Sequence, residues 1–175
     1  MERMVESVGD IEYHQYTHFL SESQWDWHQV NRITINEASE LLSSHKQESR
    51  LPTGFIIDES SHLKKGKESA GVSRQYAGQI GKVDNCQVAV YASLVNDKYT
   101  TLVGSRLFLP EEWTSDKARM DKADISQSER QYKTKPELAL ELIDESLSQG
   151  VKFDCLRTQF GTNPCIRCSE SVLYS

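Results

Sequence analysis

The sequence predicts an α/β chain in which a mixed sheet is flanked by helices and preceded by a small helical N-terminal segment. Three observations predict it. A short apolar run, Phe55-Ile56-Ile57, ends on Asp58 between turn residues and a polar stretch. Two longer β-prone runs, Gln87 to Val95 and Tyr99 to Leu109, flank the turn signal Asn96-Asp97-Lys98 and so form a hairpin. A helix with clear start and stop signals then leads to a further apolar run, Val151 to Leu156. Strands joined first by a hairpin and then by a helical crossover need antiparallel and parallel pairing in one sheet.

Residues 1–50 are polar and mostly helix-compatible, with Asn36 to Leu42 as a short helix. Trp25 and Trp27 flank Asp26 as anchors for this region, and Ser43 to Arg50 is a solvated run. Leu51-Pro52-Thr53-Gly54 punctuates the chain. The strand Phe55-Ile56-Ile57 is expected to deliver the Asp58 carboxylate at its C-terminal end, before a polar loop from Glu59 to Lys67. Pro110 to Trp113 ends the third strand, and Thr114 to Lys133 is expected as an exposed, charged excursion. Thr134 then caps a helix, with Pro136 in its first turn and Glu137 completing a capping box. Ala139, Leu142, Ile143 and Leu147 share one face, and Gly150 fits the stop. These signals divide the chain into a mostly helical or partly disordered segment at 1–50 and a domain at 51–156, followed by a tail at 157–175.

The net charge of -6 argues against a strongly basic protein that coats DNA, yet leaves room for a local basic patch. No apolar run approaches the roughly 20 residues of a membrane span, and the N-terminus lacks the basic start and apolar stretch of a signal peptide. A cytoplasmic location and no membrane partner are therefore expected. The four cysteines, Cys86, Cys155, Cys165 and Cys168, are then thiols rather than disulfides.

Asp58 is the residue with the most chemical promise. A carboxylate at the end of a central strand can hold a divalent metal, which favours oxygen ligands. The plainer alternative is an Asp that starts a turn. His62, four residues on, is a polar loop residue that could pair with Asp58 in acid–base chemistry. Tyr76 and Trp113 are expected to pack rather than to stack on bases.

An ordered series widens the argument. Ile56-Ile57-Asp58-Glu59-Ser60-Ser61-His62-Leu63-Lys64-Lys65-Gly66-Lys67 runs on into Ser69-Ala70-Gly71-Val72-Ser73-Arg74-Gln75-Tyr76. Leu107 to Trp113 and Thr134 to Ala139 follow in turn. Over residues 51–154 this series resembles the DDE transposases of bacterial insertion sequences, in the branch with an Asp-Asp-Thr-like turn before a Lys-Lys-Gly-Lys loop. Glu59 and Ser60 stand where that branch usually has Asp and Thr.

The resemblance implies an RNase H-like fold and metal-dependent DNA cleavage and strand transfer. It implies Asp58 as the first ligand of a centre that uses Mg2+ or Mn2+. It also implies DNA at transposon ends as partner, with Lys64, Lys65, Lys67, Arg74 and Lys82 as phosphate contacts.

The family's second Asp belongs after the strand beginning at Val151, and its Glu much later. Here no Asp follows Asp154, Gln159 stands near the expected place, and the last acid is Glu170. The expectation is a truncated or frameshifted fragment, incomplete at the C-terminus, that binds no metal productively and does not cleave DNA. The alternative is a non-catalytic module that binds DNA, itself or a full-length transposase and interferes with the latter. The pair Cys165 and Cys168 could form half of a zinc site with Cys86 and Cys155, although a lone CxxC is a weak signal. A sheet cut at its fourth strand is expected to expose apolar surface and an open edge.

Overall fold

The structure, a computed structural model, describes residues 12–24 and 26–158, and the backbone alone at 165–168. The chain divides at Val30/Asn31 into two units. In the first, helix α1 (Tyr13–Ser21) starts at a capping box, in which the Glu12 amide donates to Gln15 Oε1 at 3.1 Å. Asp26 caps the next helix by accepting from the His28 and Gln29 amides at 3.0 and 3.2 Å. Trp27 is 43% exposed and stacks on His28, so it anchors no core. Trp25 lies outside the described residues.

Helix α2 (Trp27–Ser49) absorbs both the expected short helix and the run expected to be solvated. Its polar surface hid its length. Only Ile35, Ala38 and Leu42 are buried, at the i, i+3, i+7 spacing of one face.

Among the described residues the sheet has six strands: β1 (Gly54–Leu63), β2 (Ser73–Ala77), β3 (Lys82–Asn96), β4 (Tyr99–Leu107), β5 (Cys155–Thr158) and β6 (Cys165–Cys168). β1 pairs antiparallel with β3 and parallel with β5. β3 pairs antiparallel with both β2 and β4. Cys86 stands opposite Leu63 of β1 on one side and Ser73 of β2 on the other, so β2 and β4 line the same edge of β3 end to end. The core order β4-β3-β1-β5, with a helix crossing from β4 to β5, is the mixed sheet of the RNase H-like fold. β6 returns antiparallel to β5. In β4, Ala92 faces Gly104 and Ser93 faces Leu102, which leaves Val103 as an extra residue, a β-bulge.

One face of the sheet carries the core. Phe55, Ile57, Val90, Ala92, Leu94 and Val103 pack against Ile35, Ala38 and Leu42 of α2. Leu138, Ala139 and Leu142 of the crossover helix join them. The hub at the end of β3 is polar: Asn96 is fully buried, accepts from Ser49 Oγ at 2.8 Å and donates to the Leu51 carbonyl at 2.8 Å.

Between β4 and the crossover helix, the expected excursion is a folded annex. It holds α3 (Glu111–Thr114), α4 (Lys117–Lys122) and a 3-10 turn at Gln127–Glu129. Leu109, Trp113, Met120 and Ile125 form a second small core there, with Trp113 fully buried. Four apolar residues spaced among charges are too few to give a periodic signal, yet enough to close a core around one indole.

The crossover helix α5 (Lys135–Ser148) begins at the expected capping box. The Thr134 hydroxyl and amide both donate to Glu137 Oε2 at 2.7 Å, and together they hold the Glu137 carboxyl below its ordinary range. Gly150, at φ 82°, takes the left-handed turn that ends the segment.

β5 starts later than the apolar run suggested. Val151 is buried in the core, and Phe153 meets Phe55 with centroids 4.9 Å apart, so apolarity there signalled burial and not pairing. Asp154 staples this connection. It accepts both bonds from Lys46 Nζ, at 2.6 and 2.7 Å, and one from the Thr53 amide at 2.6 Å. Burial pushes its carboxyl up, but Lys46 and the Thr53 amide outweigh that and leave it below the ordinary value.

A depressed native pKa gives stability that is complete above the unfolded value and lost as pH falls through the native one. Asp154→Asn is therefore expected to cost about 1–2 kcal/mol at neutral pH, the ion pair being partly exposed, with the difference vanishing in acid. Urea unfolding at both pH values checks it. Equal midpoints at neutral pH would show the staple to be idle.

Candidate carboxylate site and lysine loop

Asp58 sits in the middle of β1, not at its end. The polar residues after it stay extended because they pair with β3, from Asp58 opposite Tyr91 to Leu63 opposite Cys86. Tertiary pairing overrides the loop-like composition.

Alternation puts Ile56, Asp58, Ser60 and His62 on one face of the sheet, away from the core. On β3 that face carries Val83, Asn85, Gln87, Ala89, Tyr91, Ser93 and Val95, none of them buried. Tyr76, Val83, Leu102 and Leu107 add exposed apolar surface.

The Asp58 carboxylate is exposed and accepts from the Glu59 amide at 2.8 Å. The neighbouring Tyr91 hydroxyl lies 3.3 Å from His62 Nε2, so His62 belongs to this face rather than to a loop. Glu59 points the other way and pairs with Lys135 Nζ at 2.5 Å, tying the start of α5 to β1. The residue beside Asp58 is thus committed to packing the crossover helix.

The lysine loop follows β1 and is fixed by its backbone. Asn85 Nδ2 donates to the Lys64 and Gly66 carbonyls at 2.6 and 2.9 Å, and Gln87 Nε2 donates to Ala70 O at 2.6 Å. From the annex, Arg119 donates to the Lys67 and Val72 carbonyls at 2.9 and 3.2 Å. Trp113 Nε1 adds a bond to Val72 O at 2.8 Å. Gly71, at φ 72°, could carry no side chain, because a Cβ would meet the Phe108 carbonyl at 2.8 Å. The side chains of Lys65 and Lys67 remain exposed.

These holding residues escaped the sequence reading. Asn85 and Gln87 on an otherwise apolar strand were the available signal.

The structure does not gather all the sequence-predicted residues. Lys64 lies six residues beyond Asp58, roughly 20 Å along the sheet. Arg74 faces Asn85 and Lys82 faces Ala77, placing them roughly 20 and 30 Å from the Asp58–Tyr91 pair. Lys82 is also engaged at 3.6 Å by Asp84, whose carboxyl is held low by the Asn85 amide first and by Lys82 as well. The lysines and Arg74 thus occupy one end of the sheet and Asp58 its middle.

The donor set does not suit a two-metal centre. Among the described residues no three His, Cys, Asp or Glu side chains converge, and Asp58 has no second carboxylate beside it. The last described parallel pair is Ile57 with Thr158; the next position, Gln159, lies outside the described residues. The zinc reading fails for its inner half. Cys86 faces Leu63 and Cys155 faces Gly54, roughly 30 Å apart along β1. Burial pushes the Cys86 thiol up, away from the ligating thiolate form.

The sheet order and the carboxylate on β1 define an α/β domain of the RNase H-like class. Residues 1–157 match the family described as DDE superfamily endonuclease, and the chain belongs to that family. It is 33% identical over 137 residues to a protein of Microchaete diplosiphon described as "Probable transposase for insertion sequence element IS701". That match covers 78% of this chain and 31% of the relative, so the chain spans about a third of the relative's length. No solved structure matches it. Among the described residues no helix is long and apolar enough to cross a membrane.

Proposed function

We propose that these 175 residues form the first-carboxylate module of a transposase catalytic domain, and that this module engages DNA without cutting it. The observation that carries the reading is the exposed carboxylate of Asp58, with no second one beside it among the described residues, on the sheet face away from the core, with a backbone-fixed lysine loop at the end of its strand. The family implies divalent metal, and Asp58 is the candidate for its first ligand. One carboxylate does not hold the two ions that in-line phosphoryl displacement needs. Lys64, Lys65 and Lys67, with Arg74 beyond them, suit phosphates by charge alone and carry no base readout. Lys82, engaged by Asp84, contributes least. A cytoplasmic location accords with this reading.

The test is binding and nicking of duplex DNA by the purified chain, with Mg2+ and with Mn2+. Retardation that weakens with salt is expected, and no nicking. Replacing Lys64, Lys65 and Lys67 by Ala should lower affinity on all sequences and flatten the salt dependence by up to about three phosphate contacts. Unchanged binding would remove the loop from the interface. Nicking that disappears in Asp58→Ala would overturn the inactive reading.

A further inference from the structure

We propose that the cleft between α2 and the tip of the β3–β4 hairpin is a docking groove for a basic amphipathic helix of a partner protein. The cleft encloses about 580 Å3, and its apolar lining is Ala38, Leu41, Leu42 and Tyr99. Leu41 is 70% exposed although its neighbours Ala38 and Leu42 are buried. Tyr99 is held edge-on to His45, with centroids 4.5 Å apart, so this wall of the groove is set before anything binds. A floor with an exposed leucine and a fixed aromatic wall suits side chains spaced at i, i+3 and i+4 on a helix.

Charge selects the occupant. Glu37 and Glu48 line the cleft, and a shallower hollow of Glu37, Glu40, Leu41 and Ser44 extends it along α2. Asp97 stands at the hairpin turn, 3.5 Å from His45 Nε2, while Glu48 lies 3.7 Å from His45 Nδ1. The nearby cation is Lys98, 5.4 Å over the Tyr99 ring. Four carboxylates around an apolar floor repel phosphate and attract lysine or arginine. DNA is thereby excluded here, and the groove is separate in chemistry from the lysine loop.

The test is calorimetric titration of the whole chain with an 18-residue Leu/Lys peptide whose leucines form one helical stripe, against the same stripe built on Glu. The Lys peptide is expected to bind one to one and the Glu peptide not at all. Leu41→Asp should weaken binding roughly tenfold or more. Glu37→Lys combined with Glu48→Lys should do the same, and Tyr76→Ser on the open face should change nothing. Glu37, Leu41, Glu48 and Tyr76 are all exposed, and an unchanged circular dichroism spectrum confirms folding. The proposal is overturned by no binding, by equal binding of the Glu peptide, or by loss in Tyr76→Ser but not in Leu41→Asp. It is also overturned if the groove is occupied by a second copy, seen as self-association that Leu41→Asp abolishes.

Discussion

Trp113→Ala is expected to release the annex from Leu109 to Lys133 and the lysine loop together, while the sheet stays folded. The indole is fully buried, donates to Val72 O, and carries the Arg119 guanidinium 3.8 Å above its ring. Removing it deletes the largest side chain of a core whose other buried members are only Leu109, Met120 and Ile125. So small a core cannot collapse around the void, and the cost should reach about 3–5 kcal/mol. Arg119 then loses its stacking partner and its grip on the Lys67 and Val72 carbonyls. Limited trypsin digestion reads the result: cleavage at Lys64, Lys65 and Lys67 should speed up at least tenfold before the rest of the chain is cut. Met120→Leu conserves volume and should cost under about 1.5 kcal/mol. Equal protection of the loop in Trp113→Ala would show that Asn85 and Gln87 hold it alone.

Asn96→Leu is expected to be nearly as damaging, by a different route. The side chain is buried and joins three segments: Ser49 at the end of α2, Leu51 in the connector and Thr53 before β1. Leucine fits the volume but leaves the Leu51 carbonyl and the Ser49 hydroxyl without their partner, at about 1–3 kcal/mol each. The urea midpoint should therefore fall by the equivalent of about 3 kcal/mol. A loss under about 1 kcal/mol would mean that the hub is hydrated and that its bonds are replaced by water.

The parts of the fold that were legible in the sequence are those written in local chemistry. The Thr134–Glu137 box, the Gly150 stop and the Asn96-Asp97-Lys98 turn, with Asp97 at φ 56°, depend on neighbours within a few residues. The illegible parts depend on distant partners. β1 runs through Ser60, Ser61 and His62 because β3 offers ladder partners, a fact absent from their composition. β2 was missed altogether, since Ser73–Ala77 has no apolar alternation and exists as an edge on β3. At the candidate site, the apolar run and its series of neighbours single out Asp58, but they place it at a strand end, whereas pairing with β3 puts it mid-strand. Tyr76, expected to pack, is 59% exposed, because whether a face is covered depends on what lies beyond the strand itself.

The extra residue Val103 in β4 has a consequence for the hairpin as a whole. A bulge bends its strand and sharpens the local twist, so it sets the angle between two stretches of paired backbone. The tip stretch, Ser93 to Thr101, carries Tyr99 and the wall of the acidic groove. The base stretch carries Tyr91 opposite both Asp58 and Ser105. Val103 and Leu142 hold the bend itself in the core. Ser93, Leu94 and Val95 also pair with β1, so the bend is fixed and the tip holds one angle to the strands beneath Asp58. One hairpin thus presents two surfaces at a set angle, the acidic one at its tip and the one beside Asp58 at its base.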